Sequence, residues 1–212
     1  RHAVDLGAGT GQATGPLLAA GLRVTAVEPG EQLAARLRAA HPAAEVVLAR
    51  AEDVELPPAS VDLVVAATAI HWMDLDVLLP RVHRWLAPGG TFLVWRNVFG
   101  DPDVATPFRD RVAEIVRARR SPPRPGPDPQ DVALTRAALT RSGHFTADET
   151  TSYRWSTELD ADQVHALFAT FSDWTPAEVD RAATAVRDLG GRVREHYRSW
   201  LIVLTPAAPS RG

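Results

Sequence analysis

The chain has 212 residues, 45% of them hydrophobic, which is enough to bury a sizeable core in one α/β domain. A net charge of −3 argues against a surface that coats nucleic acid, no run of about 18 apolar residues offers a membrane span, and no signal peptide is visible at the start. There are no cysteines and all 23 basic residues are arginines, so disulfides, thiolate metal sites, a cysteine nucleophile, a Schiff-base lysine and a P-loop lysine are excluded together. With abundant alanine and proline, the arginine bias also points to a GC-rich bacterial genome.

In chain order, strand and helix patterns alternate, the sign of a mostly parallel sheet covered on both faces. An apolar strand at about 3–6 runs into glycines at 7, 9 and 11, and a helix from about 12 to 20 ends at Gly21. Strand two is Leu22 to Val27, followed by a helix from about 30 to 40 that stops before Pro42. Strand three is Glu45 to Leu48, and strand four is Val61 to Ala66 after the turn Pro57-Pro58-Ala59-Ser60. A helix from about 74 to 86 ends at Pro88-Gly89-Gly90, a strong breaker, and strand five is Thr91 to Trp95.

The second half is less regular. Arg109 to Arg120 reads as a helix, and residues 121–129 carry five prolines in nine positions, an extended stiff loop. A helix from about 130 to 142 ends at Gly143, then come a strand from about 150 to 155, helices near 160–170 and 176–189, and a last strand near Tyr197 to Leu204. The expected layout is a single domain over 1–212, a Rossmann-like, doubly wound sheet of seven mostly parallel strands. Helical insertions follow strands five and six, at about 98–145 and 157–192.

Glycines at the first strand–helix turn let the backbone turn tightly and approach a ligand without a Cβ in the way. A dinucleotide fingerprint would want its third glycine at position 12, which is Gln12. Instead the spacing is Asp5-x-Gly7-x-Gly9-x-Gly11, with Glu28-Pro29 closing strand two. This resembles the first motifs of the class I S-adenosylmethionine (SAM)-dependent methyltransferases. His71-Trp72 after strand four, the turn Leu86-Ala87-Pro88-Gly89-Gly90, Trp95-Arg96-Asn97 and Tyr153-Arg154-Trp155 resemble the subgroup with a His-Trp pair after strand four. The likeness covers nearly the whole chain and is specific in residues 1–97, which it marks as the SAM-binding half, with 98–212 on the substrate side. Families of this kind usually place a helix before the first strand, so a leading helix is expected beyond Arg1.

The resemblance implies a site. SAM, with S-adenosylhomocysteine (SAH) as product, would lay its amino-acid end along Asp5, Gly7, Ala8, Gly9 and Gly11. Glu28, beside Pro29, would accept the ribose hydroxyls, with a solvated loop carboxylate as the alternative. Ala51 and Glu52 match the place of adenine contact, while Glu52 also suits a helix cap. Ala67, in the small-residue run at the end of strand four, falls in the crevice where open α/β sheets bind ligands.

The implied reaction is methyl transfer to a small molecule, most plausibly at oxygen. The Asn/Asp-Pro-Pro-aromatic tetrapeptide and the cysteines used on nucleobases are missing. His71 is the best-placed candidate base for a hydroxyl acceptor, against a plain packing role beside Trp72, and a carboxylate acceptor would need no base. Trp72, Arg96, Asn97, Phe99, Phe171 and Trp174 are the candidate substrate contacts, although aromatic residues more often fill a core. The other histidines show no metal-ligand spacing, so no metal is expected. The partner is a small molecule, without nucleic acid or membrane, in a cytoplasmic monomer or homodimer. The rival is a protein of the same fold that binds SAM or SAH without methylating; a dehydrogenase is the weakest alternative.

Overall fold

A computed structural model of the chain describes residues 1–119, 128, 130–171 and 173–208. Seven strands form one sheet in the order β3-β2-β1-β4-β5-β7-β6. They are β1 (His2–Leu6), β2 (Arg23–Val27), β3 (Glu45–Val47), β4 (Val61–Ala67), β5 (Leu86–Phe99), β6 (Phe145–Asp160) and β7 (Arg192–Pro206). The ladders among β1 to β5 are all parallel, with Val4 opposite both Thr25 and Val64, and Ala67 opposite Trp95. The α/β, Rossmann-like architecture is the one the alternating pattern predicts. All five β1 residues are buried, as a central strand covered on both faces requires.

Two compact units share the chain. The first comprises residues 1–96, 127–152 and 200–212, and the second 97–126 and 153–199. The expected halves therefore divide almost where the first unit breaks off at 96, but residues 127–152 and 200–212 return to it.

In the first unit, α1 (Thr14–Ala19), α2 (Glu31–Ala40), α3 (Leu75–Trp85) and α5 (Val132–Thr140) flank the strands. Gly21, at φ +80°, ends the α1 region as a left-handed residue. The Asp74 carboxylate caps α3 by accepting from the Asp76 N–H, and Asp131 caps α5 by accepting from Ala133 and Leu134. One cluster of Ala3, Val24, Ala26 and Leu37 closes the sheet against α2; Phe92 and Phe145 meet edge-on at 5.7 Å elsewhere in the core.

In the second unit, α4 (Pro107–Arg117), α6 (Ala161–Phe168) and α7 (Pro176–Asp188) gather around Phe168, which is fully buried. Helices α6 and α7 each open with a capping box, Asp160 with Gln163 and Thr175 with Glu178. Glu195 on β7 is fully buried with neither oxygen hydrogen-bonded among the described residues; the Arg109 guanidinium stands 3.7 Å away, too far for a hydrogen bond.

Three strands depart from the sequence reading. β5 begins at Leu86 rather than Thr91, because Leu86 already pairs with Val61 before Leu63 pairs with Thr91. The Pro88-Gly89-Gly90 breaker thus interrupts the ladder as a bulge, with Gly89 at φ +78°, instead of delaying the strand. β6 and β7 extend well beyond 150–155 and 197–204. The proline-rich stretch expected as a stiff loop falls, apart from Asp128, outside the described residues.

Candidate functional site

The carboxyl ends of β1, β2 and β4 open onto a cavity of about 580 Å³ whose walls all come from the first unit. That volume lies within the range that small-molecule sites occupy, roughly 300–1,000 Å³. Where β1 ends, the Gly7 and Ala8 N–H groups both donate to the Val27 carbonyl, at 2.9 and 3.0 Å, tying the turn to β2. Gly7 stands at φ +68° with Ala69 directly across it, where a Cβ would lie 2.5 Å from the Ala69 methyl. Gly9, at φ +59°, faces open space, where a Cβ would meet nothing closer than 3.7 Å. Its bare backbone is therefore available to a ligand.

Glu28 is 6% exposed and joins two loops: one oxygen accepts from the Gly9 N–H at 2.9 Å and the other from the Gly30 N–H at 2.8 Å. A carboxylate has about four acceptor positions, so two remain for hydroxyls in the cavity it lines. Across the cavity, Glu52 is buried, which by itself would raise its pKa. The Asp74 N–H at 2.7 Å and Arg50 at 3.2 Å outweigh that and hold it below the usual carboxylate value.

Of the expected cofactor residues, Gly7, Gly9, Glu28, Pro29, Ala51, Glu52 and Ala67 are in the wall. Asp5, Ala8 and Gly11 are not. Asp5 is fully buried beneath the turn, accepting from the Thr14 hydroxyl at 2.7 Å while its second oxygen has no partner among the described residues. Burial pushes its carboxyl up to about 6, against the Thr14 hydrogen bonds. Gly11 is a packing glycine rather than a ligand contact, since a Cβ there would sit 2.3 Å from the His41 ring and 2.7 Å from Leu37.

Sequence reasoning missed Leu33, Arg50, Thr68, Ala69 and Met73, which complete the wall. Thr68 carries a signal only in structure: it is a β-branched residue at φ +58°, held there by its N–H donating to the Trp95 carbonyl at 2.8 Å.

The expected catalytic and substrate residues fall in both units, with His71, Trp72 and Arg96 in the first and Asn97, Phe99, Phe171 and Trp174 in the second. Trp72 lines the cavity, and its ring lies 4.8 Å from that of His71. His71 Nδ1 is 3.0 Å from Arg96 Nη1. A guanidinium only donates, so Nδ1 is the acceptor and the proton of the neutral ring sits on Nε2. With the guanidinium bound there, His71 could act as the expected base at Nδ1 only by releasing Arg96. Phe99, Phe171 and Trp174 are core rather than lid within their own unit, at 4.9, 5.2 and 4.4 Å from the Phe168 ring. The Asn97 side-chain oxygen accepts from Ser199 Oγ at 2.6 Å, which in turn accepts from the Trp155 indole at 2.9 Å. Among the described residues no cluster of three or more histidine or acidic groups could hold a metal, and no helix is long and apolar enough to cross a membrane.

Sheet order, the glycine turn and the acidic residue at the end of β2 together define the class I methyltransferase fold. Residues 4–94 match the family described as a methyltransferase domain. An uncharacterized methyltransferase of Mycobacterium bovis is 46% identical over 98 residues, which are 46% of this chain and 40% of that protein's length. A structure of a putative type II methyltransferase from Anaeromyxobacter dehalogenans superposes with a TM-score of 0.68 and 28% identity, over 95% of this chain and 88% of the other. A phosphoethanolamine N-methyltransferase of Haemonchus contortus, solved with SAH, shares the fold at 16% identity and a TM-score of 0.56, over 98% of this chain and 49% of its own. The family match is confined to residues 4–94, the chain spans under half the length of its Mycobacterium bovis relative, and its fold is that of the methyltransferases to which it is similar.

Proposed function

We propose that the chain binds SAM in the first unit's cavity and methylates a small-molecule acceptor at oxygen, as a cytoplasmic bacterial enzyme, monomeric or homodimeric. The observation that carries the reading is Glu28, buried in the cavity wall with acceptor capacity left over after bridging Gly9 and Gly30. The residues fit the cofactor: with the Gly7 and Gly9 N–H groups already given to Val27 and Glu28, their carbonyls are left to accept from its ammonium group, Glu28 suits the ribose diol, and Leu33, Ala51 and Met73 form an apolar slot for the base. When bound, SAM supplies an electrophilic methyl group carried on a sulfonium. The protein's own task is to hold the acceptor in line with that group and keep water out, which supplies much of the rate in a displacement of this kind.

Calorimetric titration of SAM and SAH into wild type and Glu28→Ala tests the reading. Wild type is expected to bind both, with affinity falling at least tenfold in the variant. Leu33→Glu, which places a carboxylate in the apolar wall outside the Glu28 hydrogen bonds, should also weaken binding while circular dichroism stays unchanged. Absence of binding by wild type would overturn the reading. Binding without any mass shift across an acceptor screen would favour a protein that holds SAM without methylating.

A further inference from the structure

Arg96 is not in the cavity wall but is tied to it on two sides: through the strand partner of Ala67, and through His71, the chain neighbour of Trp72. It follows Trp95, which pairs with Ala67 across the β4–β5 ladder and accepts from the Thr68 N–H. Its side chain is half-buried, and its Nε–H is shielded from water with no acceptor among the described residues. No described carboxylate forms an ion pair with it within 4.0 Å; the charge that acts on it is that of Asp128, from farther away. The stretches outside the described residues contain no Asp or Glu. A desolvated cation whose counter-charge is not in contact is costly, and an anion placed directly against it recovers part of that cost.

His71 fixes the direction of the site. Its Nδ1 accepts from Arg96 Nη1, so the imidazole is neutral and acts on the guanidinium as an orienting acceptor. A hydroxyl acceptor would need a base that took up its proton, and His71 could serve at Nδ1 only by releasing Arg96.

We propose that Arg96, oriented by His71, binds a carboxylate on the methyl acceptor, so that the product is a methyl ester and no general base takes part. The proposal rests on the methyltransferase reading above and narrows its acceptor to one class. The carboxylate oxygen forms a bond to the methyl carbon as the carbon–sulfur bond breaks and its electron pair returns to sulfur. One negative and one positive charge vanish together, leaving a neutral ester and a neutral thioether, and no proton moves. A single guanidinium with no carboxylate in contact, near a cavity that already holds Glu28 and Glu52, suits a monoanion better than a phosphate dianion.

The test combines binding with a spectroscopic readout. Hexanoate and benzoate are titrated into the SAH-saturated protein, with hexanamide, benzamide and inorganic phosphate as controls. Wild type is expected to bind the acids and neither amide nor phosphate; Arg96→Met should weaken the acids at least tenfold, and Arg96→Lys should recover part of that, with SAH affinity unchanged in both. Imidazole ¹⁵N spectra should show His71 as the Nε2–H tautomer in wild type and lose that preference in Arg96→Met. Acids that bind no better than amides, acid affinity that survives Arg96→Met, preferential binding of phosphate, or no acid binding at all would overturn the proposal. Failure of wild type to bind SAH would instead overturn the methyltransferase reading on which it rests.

Discussion

A methyl group added at Gly11 would land 2.3 Å from the His41 ring, whereas one added at Gly9 would meet nothing within 3.7 Å. Both glycines have positive φ, so alanine is strained at either position, by roughly 1–2 kcal/mol. Gly11→Ala adds overpacking of about 1–3 kcal/mol. It should lower the melting temperature markedly yet leave the SAH affinity of the folded protein nearly intact. Gly9→Ala should lower it less and weaken SAH binding more, because its methyl projects into the cofactor's space. Calorimetry and thermal melts on the pair separate the two roles, and equal SAH affinities would refute the distinction. The alternation of glycines was legible in the sequence, and so was Glu28. Which glycine faced the ligand was not, because His41 reaches Gly11 only through the packing of the α2 end against the turn. The same holds for Thr68, whose left-handed backbone comes from a hydrogen bond to a neighbouring strand and leaves no mark in composition.

Helix α7 shows how much of an element can be read locally. Thr175-Pro176-Ala177-Glu178 spells a cap, a proline in the first turn and the returning acid, and the structure forms both halves of the box. The Glu178 carboxylate accepts from the Thr175 N–H at 2.8 Å and from Arg119 Nε at 2.8 Å. Thr175→Ala should cost about 1 kcal/mol, seen as a lower midpoint in urea with unchanged SAH affinity, since the cavity belongs to the other unit. An unchanged midpoint would mean that the Arg119 contacts hold the helix start unaided. Strands β6 and β7 were less legible. The strand expected at about 150–155 is only the middle of β6; the flanking Thr146 to Glu149 and Ser156 to Glu158 are mostly polar, so no apolar alternation marks them. The extent of β6 is set by the β7 neighbour, a pairing no local window contains.

Across the whole molecule, two buried carboxyls give stability an unusual pH dependence. Burial raises Asp5 to about 6 and Glu195 to about 7, from ordinary values of 3.8 and 4.5. The folded chain therefore holds these protons more tightly than the unfolded chain. Their contribution to stability is full below about pH 4, falls as pH rises through 6 and 7, and is flat above that. Each shift corresponds to on the order of 3 kcal/mol. Denaturation at pH 5 and pH 8 should show wild type losing stability over that interval, with a smaller loss in Glu195→Gln and in Asp5→Asn. Identical losses in wild type and both variants would show that neither group titrates in the folded state.

The chain passes between the two units at 96/97, 126/127, 152/153 and 199/200. Strands β5, β6 and β7 each run from one unit into the other without a break in secondary structure. No single cut, by protease or by recombination, can release either unit as an intact module. Grafting a relative's second unit would mean exchanging two separate stretches and rejoining three strands in mid-ladder. Chimaeras built at one crossover point should fail to fold even between close relatives.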